Sequence, residues 1–167
     1  GEILRDSMVK MFPDNDPDEA VEIYRSYHRN NFGERIKVFP GMKELLAELK
    51  ARGIKTAVVT SRAGVTTVEG LESYGLSDYF DALVTCDDTD RHKPDPEPVN
   101  IALKKLASKP ENALMIGDSM YDIMCARNAG VKSVLVGWQL AVTPEEINGE
   151  AGPDYTVETA EEILNLI

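Results

Sequence analysis

Ala113-Leu114-Met115-Ile116-Gly117-Asp118-Ser119-Met120-Tyr121-Asp122 is the stretch that decides the fold. Its first five residues are apolar or small with almost no polar alternation, so they read as a strand buried on both faces, the mark of a parallel sheet covered by helices. The strand stops at a carboxylate, Asp118, and a second carboxylate, Asp122, follows four residues later, one helical turn on. In an open α/β sheet, ligands bind outside the carboxyl ends of the strands. A strand ending in an acid therefore points to an architecture and to a place to look for chemistry.

Outward from this stretch the same unit repeats. Val99, Ala102, Leu103 and Leu106 fall at i, i+3, i+4 and i+7 and predict a helix before the strand. A helix through Ile123 and Ala126 follows it, ends at Ala129-Gly130, and leads to a strand at 133–136. Upstream, Met42, Leu45, Leu46 and Leu49 predict a helix that Gly53 ends before a strand at 55–60. Val65, Val68 and Leu71 mark the next helix, Gly75 stops it, and 80–85 forms another strand. Ala160, Ile163, Leu164 and Ile167 predict a closing helix. Alternating strands and helices of this kind make an α/β fold with four parallel strands.

Residues 1–34 carry no strand pattern. Leu4, Met8 and Met11 mark one helix, and Ala20, Val21, Tyr24, Tyr27 and His28 a second, with core packing expected of Tyr24 and Tyr27. The join between them, Pro13 to Pro17, is a turn in which Asp16 can cap the second helix. The chain thus divides into a partial all-helical accessory domain at 1–34 and an α/β core at 35–167.

Charge narrows the partners. Among 167 residues, 18 Lys and Arg face 29 Asp and Glu, a formal net charge of -11. Such a field repels nucleic acid and anionic membrane, and a small anionic substrate needs a local cationic site. No run of 18 apolar residues and no basic segment leading into an apolar stretch is present, so neither a membrane span nor a signal peptide is read, and a cytoplasmic location is expected. Cys86 and Cys125 lack the spacing of a zinc site and read as reduced thiols.

The predicted strand ends share one chemical theme. Residues 55–60 run into Thr60-Ser61-Arg62, 80–85 lead to Asp87-Asp88 and then Lys93-Pro94-Asp95-Pro96, and the opening stretch ends at Asp118 and Asp122. Phosphoryl transfer is served mostly by positioning and by cationic and hydrogen-bond stabilisation. Thr60 can donate to a phosphoryl oxygen, Lys93 can offset its charge, Asp118 can hold Mg²⁺, and Asp122 can orient Lys93 or a metal-bound water. Taken singly, Thr60 reads as a strand-ending or capping residue, Lys93 as a solvated surface lysine, and Asp118 equally well as a helix cap. Three strand ends carrying complementary groups are poorly explained as three coincidences. Elsewhere the plainer readings prevail. Asp87, Asp88 and Asp90 form a solvated capping loop, His28 and His92 are structural or exposed, and Trp138 packs at the edge of the site or core. For Arg62, surface packing weighs at least as much as contact with a substrate phosphate or carboxylate.

These residues resemble the motifs of haloacid dehalogenase (HAD) superfamily phosphatases: Val58-Val59-Thr60-Ser61 the second, Lys93-Pro94-Asp95-Pro96 the third, and Gly117-Asp118 to Asp122 the fourth. Val38-Phe39-Pro40-Gly41, Ala126 to Gly130, and Asp87 to Val99 are similar to the phosphoglycolate phosphatase and HAD-type pyrophosphatase subgroup. The resemblance implies a Rossmann-like core with a helical cap, of which 1–34 are the later helices. It implies a Mg²⁺-dependent phosphatase acting through an aspartyl-phosphate on a small phosphate ester or pyrophosphate. The implied catalytic residues are Thr60, Lys93, Asp118 and Asp122, the substrate-binding ones Thr60, Ser61, Arg62 and Lys93, and the metal ligand Asp118. The first motif, DxDGT, which carries the nucleophile, is not found; Asp14-Asn15-Asp16 and Asp88-Thr89-Asp90 share its spacing but follow no apolar strand and precede no Gly-Thr. A strand bearing it is expected upstream of Gly1, and the 167 residues alone are expected to be inactive. The rival reading is a non-catalytic HAD-like module that binds a phosphorylated ligand or partner. Neither the substrate nor the oligomeric state is legible.

Overall fold

The structure, a computed structural model, describes residues 4–139 and 142–167, and of residues 28–35 the backbone alone. In chain order the elements are α1 (Leu4–Met11), α2 (Pro17–Arg35), α3 (Met42–Ala51), β1 (Ala57–Val59), α4 (Gly64–Ser73), β2 (Ala82–Val84), α5 (Glu97–Leu106), β3 (Leu114–Gly117), α6 (Met120–Asn128), β4 (Lys132–Val136), α7 (Pro144–Asn148) and β5 (Tyr155–Val157). Short 3-10 turns link them, and the last, Glu161–Leu166, closes the described chain.

The strands are parallel, as a βα repeat requires, but they form two separate sheets. β1 pairs with β2, Val58 opposite Leu83. β3 pairs with β4, Ile116 opposite Val134, and β4 with β5, Leu135 opposite Thr156. β1 and β3 do not pair with each other, so each keeps one open edge among the described residues. Three differences from the sequence reading follow from local chemistry. β5 was not anticipated, because its three residues lie in a polar stretch, and only Val157 is buried. The closing segment is a 3-10 helix rather than an α-helix, although Ala160 and Ile163 pack in the core as its pattern requires. In α4 the apolar residues used to predict it, Val65 and Val68, are exposed, and Thr67 is the buried one, its hydroxyl donating to the Ala63 carbonyl at 2.9 Å.

Helix ends follow the sequence more closely. Gly53 adopts φ 71°, which lets Ile54 N donate back to Leu49 O at 2.9 Å and satisfy the last turn of α3. Gly130, at φ 72°, does the same for α6 through Val131 N and Ala126 O at 2.9 Å. Asp16 caps α2 by accepting from Asp18 N at 2.8 Å. Within α1 and α2, Met8 and Val21 are buried, whereas Met11, Tyr24 and Tyr27 are exposed, which corrects the expectation that the two tyrosines pack in a core. The His28 expectation concerns a side chain outside the described ones.

Two apolar clusters hold the sheets. Leu45 and Leu49 of α3 meet Val134, Val136, Val157, Ala160 and Ile163 on one side. On the other, Val99 and Leu103 of α5 meet Cys125, Ala126 and Val131. Between the open edges runs a cavity of about 1840 Å³, lined by Val58 and Val59 of β1, Met115 and Ile116 of β3, and apolar residues of α3 and α5. Ile116 is 40% exposed within it, an unusual state for the middle of a parallel strand.

Candidate functional site

The carboxyl ends of β1 and β3 face this cavity, and the loop after β2 brings Lys93 between them. Lys93 is joined to the next residue by a cis Lys93–Pro94 peptide. Its ammonium donates to Asp122 Oδ1 at 2.6 Å and to the Val59 carbonyl, at the end of β1, at 3.2 Å. Both side chains of this ion pair are buried, 8% and 7% exposed. Lys93 is therefore not the solvated lysine its type alone suggests.

Asp122 lies in the first turn of α6, where Ser119, the residue before the helix, donates its hydroxyl to Oδ2 at 2.6 Å. Burial pushes the Asp122 carboxyl up, but Lys93 and the Ser119 hydrogen bond outweigh it and hold the group below the usual carboxylate range. Gly117 is required by the closeness of this contact: a Cβ built there would stand 2.3 Å from the Asp122 Cβ.

The remaining predicted residues line the same cavity. Thr60 continues the ladder of β1 by donating its N–H to Val84 O at 2.9 Å, and its hydroxyl accepts from Arg62 N at 3.2 Å. Thr60 thus organises a local turn while its side chain borders the cavity with Ser61 and Arg62. Asp118 is exposed at the end of β3 and also borders it. Asp118 is not a helix cap here, since Ser119 occupies that position. The acidic loop behaves as the plainer reading predicts: Thr85 and Asp88 form a capping box, and Asp87 accepts from Gly64 N, at the start of α4, at 2.8 Å. His92 contacts the Thr89 hydroxyl at 3.0 Å, away from the cavity. Trp138 packs against Phe39 with ring centroids 5.5 Å apart.

Chemically, the cavity brings together an ammonium held by a carboxylate, a hydroxyl, and an exposed carboxylate. Among the described residues no three His, Cys, Asp or Glu side chains converge on a point that could hold a metal. Asp118 offers one hard oxygen donor, which suits Mg²⁺, an ion that takes one or two carboxylates and keeps several waters. Several lining residues were not singled out by sequence reasoning, among them Arg5 and Arg25 of the helical segment, which lie far along the chain from any motif.

Parallel strands thus carry Thr60 and Asp118 at their ends, with the buried Lys93–Asp122 pair beside them. Residues 1–136 match the haloacid dehalogenase-like hydrolase family, and the chain belongs to it. More particularly, it is 46% identical over 147 residues, 88% of its length, to a PpaX protein of Caldanaerobacter subterraneus subsp. tengcongensis, and it spans 66% of that protein, short of two thirds. It is 32% identical over all 167 residues to the pyrophosphatase PpaX of Halalkalibacterium halodurans, of which it spans 76%. In three dimensions it resembles the crystal structure of a predicted phosphatase from Clostridium acetobutylicum, with a TM-score of 0.83 and 29% identity, covering 99% of this chain and 77% of that one. No described helix is long and apolar enough to cross a membrane.

Proposed function

We propose that the complete protein is a Mg²⁺-dependent phosphatase that hydrolyses pyrophosphate or a small phosphate ester through an aspartyl-phosphate. In this reading the nucleophile stands on a strand, supplied from outside these 167 residues, that fills the space between β1 and β3. The observation that carries it is the pairing of an open-edged cavity with the buried Lys93–Asp122 pair at its carboxyl end. Parallel strands with unsatisfied edges and apolar faces are costly, and an inserted strand satisfies both at once. The names of the PpaX relatives support pyrophosphate as a substrate.

The roles follow from chemistry at each atom. The Lys93 ammonium, its position fixed by Asp122 and the Val59 carbonyl, offsets charge on the phosphoryl oxygens. The Thr60 and Ser61 hydroxyls donate to those oxygens. Mg²⁺ bound at Asp118 would neutralise charge on the phosphoryl group as it transfers. Residues 4–35 act as part of a helical cap bordering the same cavity, and the enzyme acts in the cytoplasm on a small phosphorylated molecule. The test is phosphate release by the complete protein with Mg²⁺ or chelator. Lys93→Ala and Asp118→Ala should each lower kcat by about 10²–10³-fold, as loss of one charge-stabilising group does in other enzymes. Thr60→Ala, which removes one neutral donor, should cost less. Turnover unaffected by chelator and by Lys93→Ala would overturn the reading.

A further inference from the structure

Lys93 is a long side chain on a loop, and where its charge sits depends on its backbone as well as on what holds its tip. The Asp122 carboxylate and the Val59 carbonyl hold the ammonium. The backbone that follows is held by the same helix that carries Asp122. Asn128 Nδ2, at the end of α6, donates to the Pro94 carbonyl at 2.9 Å, and the Cys125 thiol donates to the Asp95 carbonyl at 3.0 Å. Residues three apart are neighbours on a helix surface, so Asp122, Cys125 and Asn128 make one winding stripe along α6. That stripe grips Lys93, Pro94 and Asp95, three consecutive residues of the loop after β2.

Other hydrogen bonds of this loop stay within it. Glu97 Oε2 accepts from Arg91 N at 2.9 Å, Asp95 Oδ1 accepts from Glu97 N at 2.9 Å, and Asp95 N donates to the His92 carbonyl at 2.9 Å. Those bonds give the loop its shape, whereas Asn128 and Cys125 set where that shape rests against α6. Cys125 is fully buried, and burial pushes its thiol up to about 11, so it keeps the proton that it donates. Asn128 is exposed, so water can replace its amide on the Pro94 carbonyl without opening a cavity. Its loss therefore removes a restraint rather than the fold.

We propose that Asn128 and Cys125 are positioning residues for Lys93: by holding the Pro94 and Asp95 carbonyls against α6, they set the depth at which the ammonium meets both Asp122 and the phosphoryl group. The inference rests on the phosphatase reading and deepens it, since it assigns two residues that touch neither substrate nor metal to the placement of the charge-stabilising group. A loop shifted by about 1 Å would leave the flexible Lys93 stem able to reach Asp122 but with its charge misplaced, and misplacement on that scale lowers turnover.

The experiment uses the complete protein and two readouts. One is steady-state phosphate release from pyrophosphate and p-nitrophenyl phosphate with Mg²⁺; the other is the rate at which N-hydroxysuccinimidyl acetate modifies Lys93, followed by peptide mass mapping. Asn128→Asp keeps the shape of the side chain but sets a carboxylate against the Pro94 carbonyl, and Asn128→Ala removes the donor. Each should raise the Lys93 modification rate and lower kcat by about threefold to tenfold, the factor that one hydrogen bond is worth, with KM within about twofold of wild type. Cys125→Ser, which keeps a donor, should stay nearer wild type in both readouts than Cys125→Ala. Arg127→Ala controls for general loosening: it breaks a 3.0 Å bond from the same helix to the Gly152 carbonyl and should change neither readout by more than about twofold. Unchanged Lys93 modification in the Asn128 variants, an equal rise in Arg127→Ala, or wild-type kcat in variants whose Lys93 has become reactive would each overturn the inference. Modification needs no turnover, so the two failures are distinguishable: a wild-type protein that releases no phosphate, with Lys93 modified as expected, would sink the phosphatase reading and leave the seating of Lys93 standing.

Discussion

Replacing Asp122 by alanine isolates the interaction on which the site depends. Asp122 Oδ1 receives the Lys93 ammonium at 2.6 Å, with the two side chains 7% and 8% exposed, and among the described residues Lys93 has one other partner, the Val59 carbonyl at 3.2 Å. In Asp122→Ala the ammonium stays buried with that single carbonyl for company. Breaking one side of a buried pair costs about 3–5 kcal/mol, against 0–1 kcal/mol for an exposed one. At roughly 2–4 °C per kcal/mol for a protein of this size, Tm should fall by about 10 °C. Denaturant unfolding of the complete protein, with Lys93→Ala and the double variant alongside, measures it. The two single losses should exceed their combined effect by about 2 kcal/mol, because the second truncation removes the charge that the first left stranded. The pH dependence has a definite sign. Asp122 has a lower pKa folded than unfolded, so its contribution is complete above about pH 4, the unfolded carboxylate value, and is lost as pH falls through the depressed folded value. The stability gap between wild type and Asp122→Ala should be flat from pH 5 to 8 and narrow in stronger acid. A cost below about 1 kcal/mol, or additive single losses, would refute the claim that this pair is buried and coupled.

Two further outcomes follow from the geometry. Gly117→Ala should displace Asp122, because the new Cβ would lie 2.3 Å from the Asp122 Cβ, so it should lower both turnover and Tm in unfolding and phosphate-release assays; a fully active Gly117→Ala protein would contradict the packing. Cys125, fully buried with its thiol pushed up by burial to about 11, should resist iodoacetamide at pH 8 in the native protein, while half-buried Cys86 reacts slowly; peptide mass mapping that finds Cys125 alkylated first would contradict this.

Much of the fold was legible because apolar periodicity and glycine helix stops are local signals. β3 and α6 fall within a residue or two of their predicted bounds, and Gly53, Gly75 and Gly130 each take the positive φ that ends a helix. β5 was not legible, since a three-residue strand is set by pairing with β4 rather than by its own pattern. The buried face of α4 was misread because counting apolar residues overlooks Thr67, whose hydroxyl is satisfied within the helix. At the site, residue types and their strand-end positions suggested where Thr60, Lys93 and Asp118 belong. The depth of Lys93 and the reach of Arg25 come from tertiary placement, which no single motif records.

The central claim is that a strand from outside these 167 residues lies between β1 and β3 and presents a carboxylate to Lys93. A crystal structure of the complete protein tests it most directly. The account predicts a parallel strand hydrogen-bonded to both Val58 and Met115 neighbours, covering Ile116 and ending with an aspartate beside the Lys93 ammonium. A structure in which β1 and β3 pair with each other, or in which side chains of α3 and α5 close the space, would contradict it.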